Sequence, residues 1–280
     1  MNGILTNEGS RDDYVFYCEE ENEKVTDADV VDNFKFNLEE HSIGKRNRDY
    51  SDVTKVHQFL RKQTNLKTFR GGMKSCSMCV LLNELPNLKY VDLRTDEDEL
   101  RISRLNRNIT ELSTNRVDLL RFLPNVKILT VADETQLIHL SEMLSTESYP
   151  QLKTLKISLE EYFDTKKVSV KIESIKNVAI LKYDENCDIK TWLPFIASND
   201  QIEKLVLTCK IGPDELTTIL KTCKNLQSLD FADAISGDIK YLAEVINEFG
   251  NELKYLKIPN REELIEDCKN IQSTKLKIYY

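Results

Sequence analysis

Few residues in this 280-residue sequence have the type and spacing that metal binding or nucleophilic catalysis requires. The pair Cys76-Ser-Met-Cys79 has the spacing of a zinc-binding or redox-active thiol pair, but no second pair lies a finger's length away. The simpler interpretation is that Cys79 begins an apolar helical face with the residues that follow it. None of the three histidines has a second histidine at metal-ligand spacing. We therefore predict no catalytic residue, no metal site and no cofactor.

The composition excludes several classes of enzyme. Motifs of the types GxSxG, GxxxxGK[ST], HExxH and DxDxDG are absent from the sequence. Glycine supplies only 8 of the 280 residues, which is less than half of its usual share of about 7%. Phosphate-binding loops need glycine because their backbone must approach the ligand closely. A Rossmann enzyme or a P-loop ATPase is therefore not expected.

Charge and cysteine content describe the expected environment of the chain. It carries 39 basic and 47 acidic residues, a net charge of −8, which argues against nucleic acid as a partner. No apolar stretch approaches the length of about 18 residues that a membrane span needs. The seven cysteines are odd in number and scattered, as is usual for reduced thiols. We expect a cytoplasmic or nuclear protein that binds no membrane.

The strongest feature of the sequence is an internal repeat. Short segments recur in which an apolar residue is followed three and five positions later by two more, as in Leu88-Lys-Tyr-Val91-Asp-Leu93. The first apolar positions are 66, 88, 109, 126, 152, 178, 202, 226 and 253. Most successive gaps fall within the spacing of about 20–29 residues that is typical of leucine-rich repeats. We therefore assign one strand to each of these segments.

The segments between the predicted strands have helical periodicity. Helices are expected over residues 133–144, 189–196, 238–249 and 262–268, and another is expected to begin at Pro213. Pro194 should shorten or kink the second of these, and Gly250 stands where a left-handed residue often ends a helix. The pattern predicts an α/β fold, a leucine-rich-repeat solenoid (horseshoe) with a parallel concave sheet and convex helices. Irregular repeats should span residues 31–280, after an acidic N-terminal segment at 1–30.

Two segments resemble the cysteine-containing leucine-rich repeats that are common in F-box proteins. They are Cys223-Lys-Asn-Leu226-Gln-Ser-Leu229-Asp-Phe231 and Leu205-Val-Leu207-Thr-Cys209. The resemblance covers roughly residues 53–278 and implies that the chain recognises a protein partner. No F-box is found before the repeats, and the asparagine that regular repeats place three residues beyond each strand appears only as Asn186. No asparagine ladder is therefore expected.

The residues between the buried strand positions should face outward on the concave sheet and bind a partner. We predict the following partner-binding residues: Tyr90, Asp92, Arg94, Lys156, Lys182, Asp184, Lys204, Val206, Asp230, Tyr255 and Lys257. Lys156, Lys182 and Lys204 come from three consecutive repeats, so neighbouring strands should bring them together. This cluster favours an acidic or phosphorylated protein segment as the partner. The simpler alternative is that these lysines only keep a β-surface soluble.

Three functions are compatible with this pattern. The chain could recognise substrates for a ubiquitin-ligase complex, with a Skp1-type adaptor as a partner if an F-box lies upstream. It could instead be a scaffold or regulator that is independent of any ligase. A GTPase-activating or other enzymatic role on the same scaffold would need a polar or arginine side chain positioned at a strand end. Arg94 meets this need in residue type only. Because no catalytic set is present, we expect a binding protein rather than an enzyme.

Overall fold

The computed structural model describes residues 64–72, 84–94, 106–131, 134–146, 149–159, 169–182, 189–231 and 241–280, together with the strands at 4–6, 15–17 and 40–43. The chain divides into two compact units, residues 1–126 and 127–280. Both units are built on parallel strands, and each is described here by itself.

In the first unit, the described residues form one antiparallel strand pair and four parallel strands. Strands β1 (Ile4–Thr6) and β2 (Val15–Tyr17) form the antiparallel pair. The parallel strands pair in chain order, and they are β3 (Glu40–Ile43), β4 (Thr68–Gly72), β5 (Tyr90–Arg94) and β6 (Glu111–Thr114). A 3-10 helix, Val117–Phe122, follows β6 and buries Val117, Leu119 and Leu120.

The described part of the second unit has seven strands, and their pairing is parallel and follows chain order. The strands are β7 (Ile128–Val131), β8 (Thr154–Leu159), β9 (Asn177–Lys182), β10 (Lys204–Leu207), β11 (Ser228–Asp230), β12 (Tyr255–Lys257) and β13 (Lys277–Tyr279). The helices between them are α1 (Glu134–Thr146), the 3-10 helix Ile189–Thr191, α2 (Leu193–Ser198), α3 (Pro213–Thr222), α4 (Tyr241–Phe249) and α5 (Glu262–Cys268). Consecutive helices from α2 to α5 contact one another.

Alternate residues of each strand form columns of buried side chains across the second unit. One column runs in register through Leu129, Leu155, Val178, Leu205, Leu229 and Leu256. Each of these side chains is at most 1% exposed. Burying a side chain of this size contributes about 1.5–3 kcal/mol relative to leaving it exposed. A single strand and helix could not bury such a surface alone, so the repeats fold as a stack.

Most helix predictions are confirmed. Helix α5 has the predicted bounds, α3 begins at Pro213, and α1 lies within about two residues of its prediction at each end. The segment around Pro194 is divided into a short 3-10 helix and the six-residue α2, as the proline predicts. Of the expected 238–249 helix, residues 241–249 lie in the described part of the chain. The predicted start of the repeats at residue 31 lies outside the described residues, and the boundary at residue 30 stays a prediction.

The prediction for Gly250 is wrong in its conformation. Gly250 donates its N–H to the Ile246 carbonyl at 2.8 Å and so ends α4, but its φ is not in the left-handed region. The reason for a glycine is space, because a Cβ there would lie 2.7 Å from the Ile246 carbonyl oxygen and 3.0 Å from its Cγ2. Glycine therefore permits a close approach to the helix end.

The order of parallel strands, the helices between them and the columns of buried aliphatic side chains identify the fold as an α/β leucine-rich-repeat solenoid. Among the helices of the described residues, none combines the length and the hydrophobicity that crossing a bilayer demands. The same residues include no group of three or more His, Cys, Asp or Glu side chains placed to hold a metal ion.

Candidate interaction surface on the second sheet

The strand residues that alternate with the buried columns form what we call the outer face of the second unit. Strand register arranges them in two rows. The first row is Ile128, Thr154, Asn177, Lys204, Ser228, Tyr255 and Lys277. The second row is Thr130, Lys156, Ala179, Val206, Asp230, Lys257 and Tyr279. With four lysines and one aspartate, this face is basic although the whole chain carries a net charge of −8.

Two exposed tyrosines and three lysines form a patch at the β10–β13 end of the outer face. The rings of Tyr255 and Tyr279 are stacked with 6.4 Å between their centroids, and 43% and 49% of the two residues is exposed. Tyr255 is in register with Lys277, and Tyr279 is in register with Lys257. Tyrosine and lysine therefore alternate on the two strands, and Lys204 extends the first row. We call Lys204, Tyr255, Lys257, Lys277 and Tyr279 the tyrosine–lysine patch.

Asp230 is the acidic residue at the edge of this patch. Its Oδ2 lies 3.4 Å from the Lys257 Nζ, and the ion pair is partly exposed on the lysine side. Its Oδ1 is buried and accepts no hydrogen bond from the described residues. A buried carboxylate oxygen without a donor is unfavourable. Because this oxygen is buried, it is not part of the surface that the patch presents to a partner.

The predicted cluster of Lys156, Lys182 and Lys204 does not form. Strand register places Ala179, not Lys182, between Lys156 and Val206, and it pairs Lys182 with Leu159. A repeat that begins at Val178 has its second apolar position at Leu181, whereas the buried residues are Ile175, Val178 and Ile180. Lys156 and Lys204 both lie on the outer face, but they belong to different rows.

The remaining predicted site residues are distributed as follows. Val206, Asp230, Tyr255 and Lys257 lie together on the outer face of the second unit, as expected. Tyr90 and Asp92 lie on β5 of the first unit, where both are half-buried and in register with Glu111 and Ser113 of β6. Arg94 is the last residue of β5. Asp184 lies outside the described residues.

Sequence reasoning missed Lys277 and Tyr279 of the tyrosine–lysine patch. The last repeat position identified in the sequence is 253, so the pattern does not extend to the final strand. The available signal was the alternation of Lys277, Ile278 and Tyr279, because the middle residue is the apolar one and its neighbours must then face outward. The register of Leu256 with Ile278 confirms this frame.

Side-chain amides fix successive repeats to one another at the corner before each strand. Asn87 donates Nδ2 to the Thr64 carbonyl, and Asn125 donates Nδ2 to the Arg107 carbonyl, both at 2.8 Å. Gln201 donates Nε2 to the Ile172 carbonyl at 2.8 Å in the same way. No asparagine ladder was expected beyond the strands, and this different set of amides immediately precedes the first buried residue of each repeat.

Asn199 at the end of α2 is the most buried of the polar side chains in the described residues, with 0% exposure. Its Oδ1 accepts the Ile172 N–H at 2.8 Å. Its Nδ2 donates to the carbonyls of Val170 at 2.7 Å and Phe195 at 2.8 Å. The amide therefore connects the end of a helix with the loop of the preceding repeat, and all of its polar atoms have partners.

The cysteines of the described repeats are packing residues. Cys209, Cys223 and Cys268 are buried thiols, and the Cys223 Sγ lies 3.7 Å from the Ile196 carbonyl oxygen. Burial, with a smaller effect from Asp200, raises the pKa of the Cys223 thiol to about 12. Burial and Asp267 raise the pKa of the Cys268 thiol to about 11. Because the thiolate is the reactive form, these two thiols are inert near neutral pH.

No protein-family model matches the sequence, and no curated protein matches it. Solved structures do align with it. One is TLR13 in a complex with ssRNA13, with 15% identity over 79% of this chain and 33% of that chain, at a TM-score of 0.47. Another is an internalin, InlF, from Listeria monocytogenes, with 12% identity over 81% of this chain and 69% of that chain, at a TM-score of 0.31. This chain spans about a third of the length of the first of these proteins.

Proposed function

We propose that this chain is a protein-interaction module that holds an acidic segment of a partner protein on the outer face of its second unit. The observation that carries this proposal is the tyrosine–lysine patch, in which two stacked and exposed tyrosines are each in register with a lysine. The domain as a whole would act by binding and not by turnover.

Tyrosine is enriched among the residues that dominate binding energies at protein interfaces, because its ring buries a large area and loses little conformational entropy. Tyr255 and Tyr279 together with Tyr280 and Ile138 are the large side chains with apolar surface that are most exposed among the described residues. The first two lie in one patch, whereas Ile138 lies on α1. A partner that covers the patch would remove both stacked rings from water.

The charge of the patch favours an acidic partner. Lys204 and Lys277 make no ion pair with any described residue, and Lys257 is 55% exposed although it contacts Asp230. Carboxylate or phosphate groups of a partner would therefore find lysines on both sides of the aromatic pair.

Substrate recognition for a ubiquitin-ligase complex is one version of this function, and the cysteine-containing repeats are what suggests it. Its test is separate from the test of the patch. The purified full chain should co-purify with a Skp1-type adaptor if this version is correct. Failure to do so would leave a scaffold or regulator that is independent of a ligase, with the same binding surface.

The proposal is tested by photo-crosslinking in cells. A photo-reactive phenylalanine analogue replaces Tyr255 in one variant and Ile138 in the control variant, since these residues have similar exposure, 43% and 42%. Proteins crosslinked only through position 255 are identified and purified. Their affinity is then measured for the wild type, for Tyr255→Ala combined with Tyr279→Ala, and for Ile138→Ala.

We expect the double tyrosine variant to lose at least about 2 kcal/mol of binding free energy and Ile138→Ala to bind as the wild type does. The identified segment should carry a net negative charge. The proposal is wrong if crosslinks at 255 and 138 recover the same proteins, or if the double variant retains full affinity.

A further inference from the structure

Lysines also occupy a second surface, at the start of the strands and outside the tyrosine–lysine patch. The residue after the first buried position of each repeat is Lys127 before β7, Lys153 before β8 and Lys176 before β9. The same position is Glu203 before β10, Gln227 before β11 and Lys254 before β12, and the Lys254 Nζ donates to the Gln227 Oε1 at 2.8 Å. We call Lys127, Lys153 and Lys176 the lysine row. None of these residues belongs to either row of the outer face.

Backbone hydrogen bonds hold the lysine row at a regular spacing. The Lys127 carbonyl accepts the N–H groups of both Lys153 and Thr154, each at 3.1 Å. The Lys153 carbonyl accepts those of Lys176 and Asn177 at 2.9 and 3.0 Å, and the Lys176 carbonyl accepts those of Glu203 and Lys204. The three lysines therefore start side by side, about 4.8 Å apart from one strand to the next.

The charges of the lysine row are only partly compensated. Lys127 and Lys153 are exposed, and their side chains make no ion pair or hydrogen bond with any described residue. Lys176 contacts Glu203 at 3.2 Å, and both side chains are more than 40% exposed. Like charges on adjacent strands are destabilising. An exposed ion pair is weak enough for a bound anion to compete with it.

We propose that the lysine row binds an extended acidic polypeptide segment, at a site distinct from the tyrosine–lysine patch. Three ammonium groups at strand spacing can contact consecutive carboxylate or phosphate groups of such a segment. Polypeptide is favoured over nucleic acid because no aromatic side chain lies in this row on which a base could stack. The row ends at Glu203, which would repel an anion that extended farther along the sheet.

The test uses two fluorescein-labelled peptides, one of eight glutamates and one that alternates phosphoserine with glycine, and the binding is followed by fluorescence anisotropy. The full chain is compared with the triple variant Lys127→Gln, Lys153→Gln and Lys176→Gln. The matched control is Lys210→Gln, Lys224→Gln and Lys275→Gln, which removes the same charge from exposed positions outside both the lysine row and the tyrosine–lysine patch. A single-stranded uridine oligonucleotide of the same charge is the third probe, and thermal unfolding checks that each variant folds.

We expect the lysine-row variant to bind the better of the two peptides about tenfold more weakly, since three exposed charges together contribute about 1.4 kcal/mol. The control variant should keep most of the affinity, and added salt should weaken wild-type binding more than binding by the lysine-row variant. The relative affinity of the two peptides tells carboxylates from phosphates as the ligand groups. Equal losses in both triple variants, or unchanged binding in the first, would overturn the proposal. Tighter binding of the oligonucleotide than of either peptide would also overturn it.

The two proposals can fail separately. Binding of the crosslinked partner by the double tyrosine variant tests the patch on β12 and β13. The lysine-row variant carries no change on those strands, so it tests the lysine row alone. Partner binding that persists in the lysine-row variant together with lost peptide binding would support two independent surfaces.

Discussion

The rings of Tyr255 and Tyr279 stack across two neighbouring parallel strands although neither tyrosine is the register partner of the other. Each ring is in register with a lysine, and the aromatic contact runs diagonally between them, with an angle of 28° between the ring planes. This contact is exposed, so it contributes to stability only modestly and remains available to a partner.

The tyrosine contact predicts a small coupling in a double-mutant cycle. Tyr255→Ala and Tyr279→Ala should each lower the free energy of unfolding, and their coupling should be about 0.2–1 kcal/mol, as for other cross-strand pairs. Urea unfolding followed by circular dichroism measures it. Tyr280→Ala is the control, because Tyr280 lies beyond the strand and has no ring contact among the described residues. Coupling between Tyr280 and Tyr255 as large as that between Tyr255 and Tyr279 would contradict the geometry.

Asn199 predicts a large loss of stability on replacement. Asn199→Leu leaves the Ile172 N–H and the Val170 and Phe195 carbonyls without their partners in a buried site. We expect the free energy of unfolding to fall by about 2–4 kcal/mol, which urea denaturation can measure. Asn225→Leu is the matched control, because Asn225 is exposed and its single contact with the Asp200 carbonyl is 3.4 Å long. A loss below about 1 kcal/mol for Asn199→Leu would mean that the amide is not structural.

The buried cysteines predict slow thiol modification in the folded protein. At pH 8, Cys223 and Cys268 are protonated, because burial has raised the pKa of each thiol to about 12 and about 11. We expect iodoacetamide to label both only when urea unfolds the chain, as peptide mass spectrometry can show. Substitution of Cys223 by alanine should leave that pattern unchanged for Cys268. Labelling of Cys268 within minutes in the native protein would contradict its burial.

Tyr241 predicts a loss of stability at alkaline pH. Its hydroxyl donates to the Ile211 carbonyl at 2.9 Å, and burial followed by the charge of Glu215 raises the pKa of its phenol to about 12. The folded chain therefore keeps this proton to a higher pH than the unfolded chain, in which the pKa is about 10. The stabilisation is complete below pH 10 and is lost as the pH rises towards 12.

The Cys223 and Cys268 thiols shift in the same direction, so their contribution is lost from about pH 9 upward. Urea unfolding between pH 8 and pH 11 should show the decline. Tyr241→Phe should cost about 1 kcal/mol at pH 8 through the missing hydrogen bond, and it should make the decline above pH 10 less steep. A slope identical to that of the wild type would show that Tyr241 does not titrate with a raised pKa.

The sequence was sufficient for the fold wherever one frame of apolar residues was unambiguous. Leu205 and Leu207 alternate with charged or half-buried residues, and both are fully buried as predicted. Around β9 the chain offers two frames, because Val178, Ile180 and Leu181 are all apolar. Only pairing with the neighbouring strands selects Val178 and Ile180, and that choice displaces Lys182 from the predicted cluster. Long-range register is information that a local pattern does not contain.

The tyrosine–lysine patch and the lysine row were also predictable only in part. Tyr255 and Lys257 followed from alternation within one strand, whereas the ring contact with Tyr279 depends on how the last two strands pair. Lys127 and Lys153 follow the first apolar residue of a repeat, whereas Lys176 does so only in the frame that begins at Ile175, so the sequence showed only part of the lysine row. It was missed because only the residues within the strands were considered as outward-facing.

The carbonyl groups that accept two N–H groups each, at the start of the strands, bear on how the number of repeats in such a chain could change. From Lys127 through Gln227, one carbonyl of each repeat accepts two N–H groups that the following repeat donates. A duplicated or deleted repeat of this kind would meet a neighbour with matching hydrogen-bond groups on both sides. We therefore expect the fold to tolerate the insertion of one whole repeat in the stretch from β8 to β10. Insertion of half a repeat should not be tolerated.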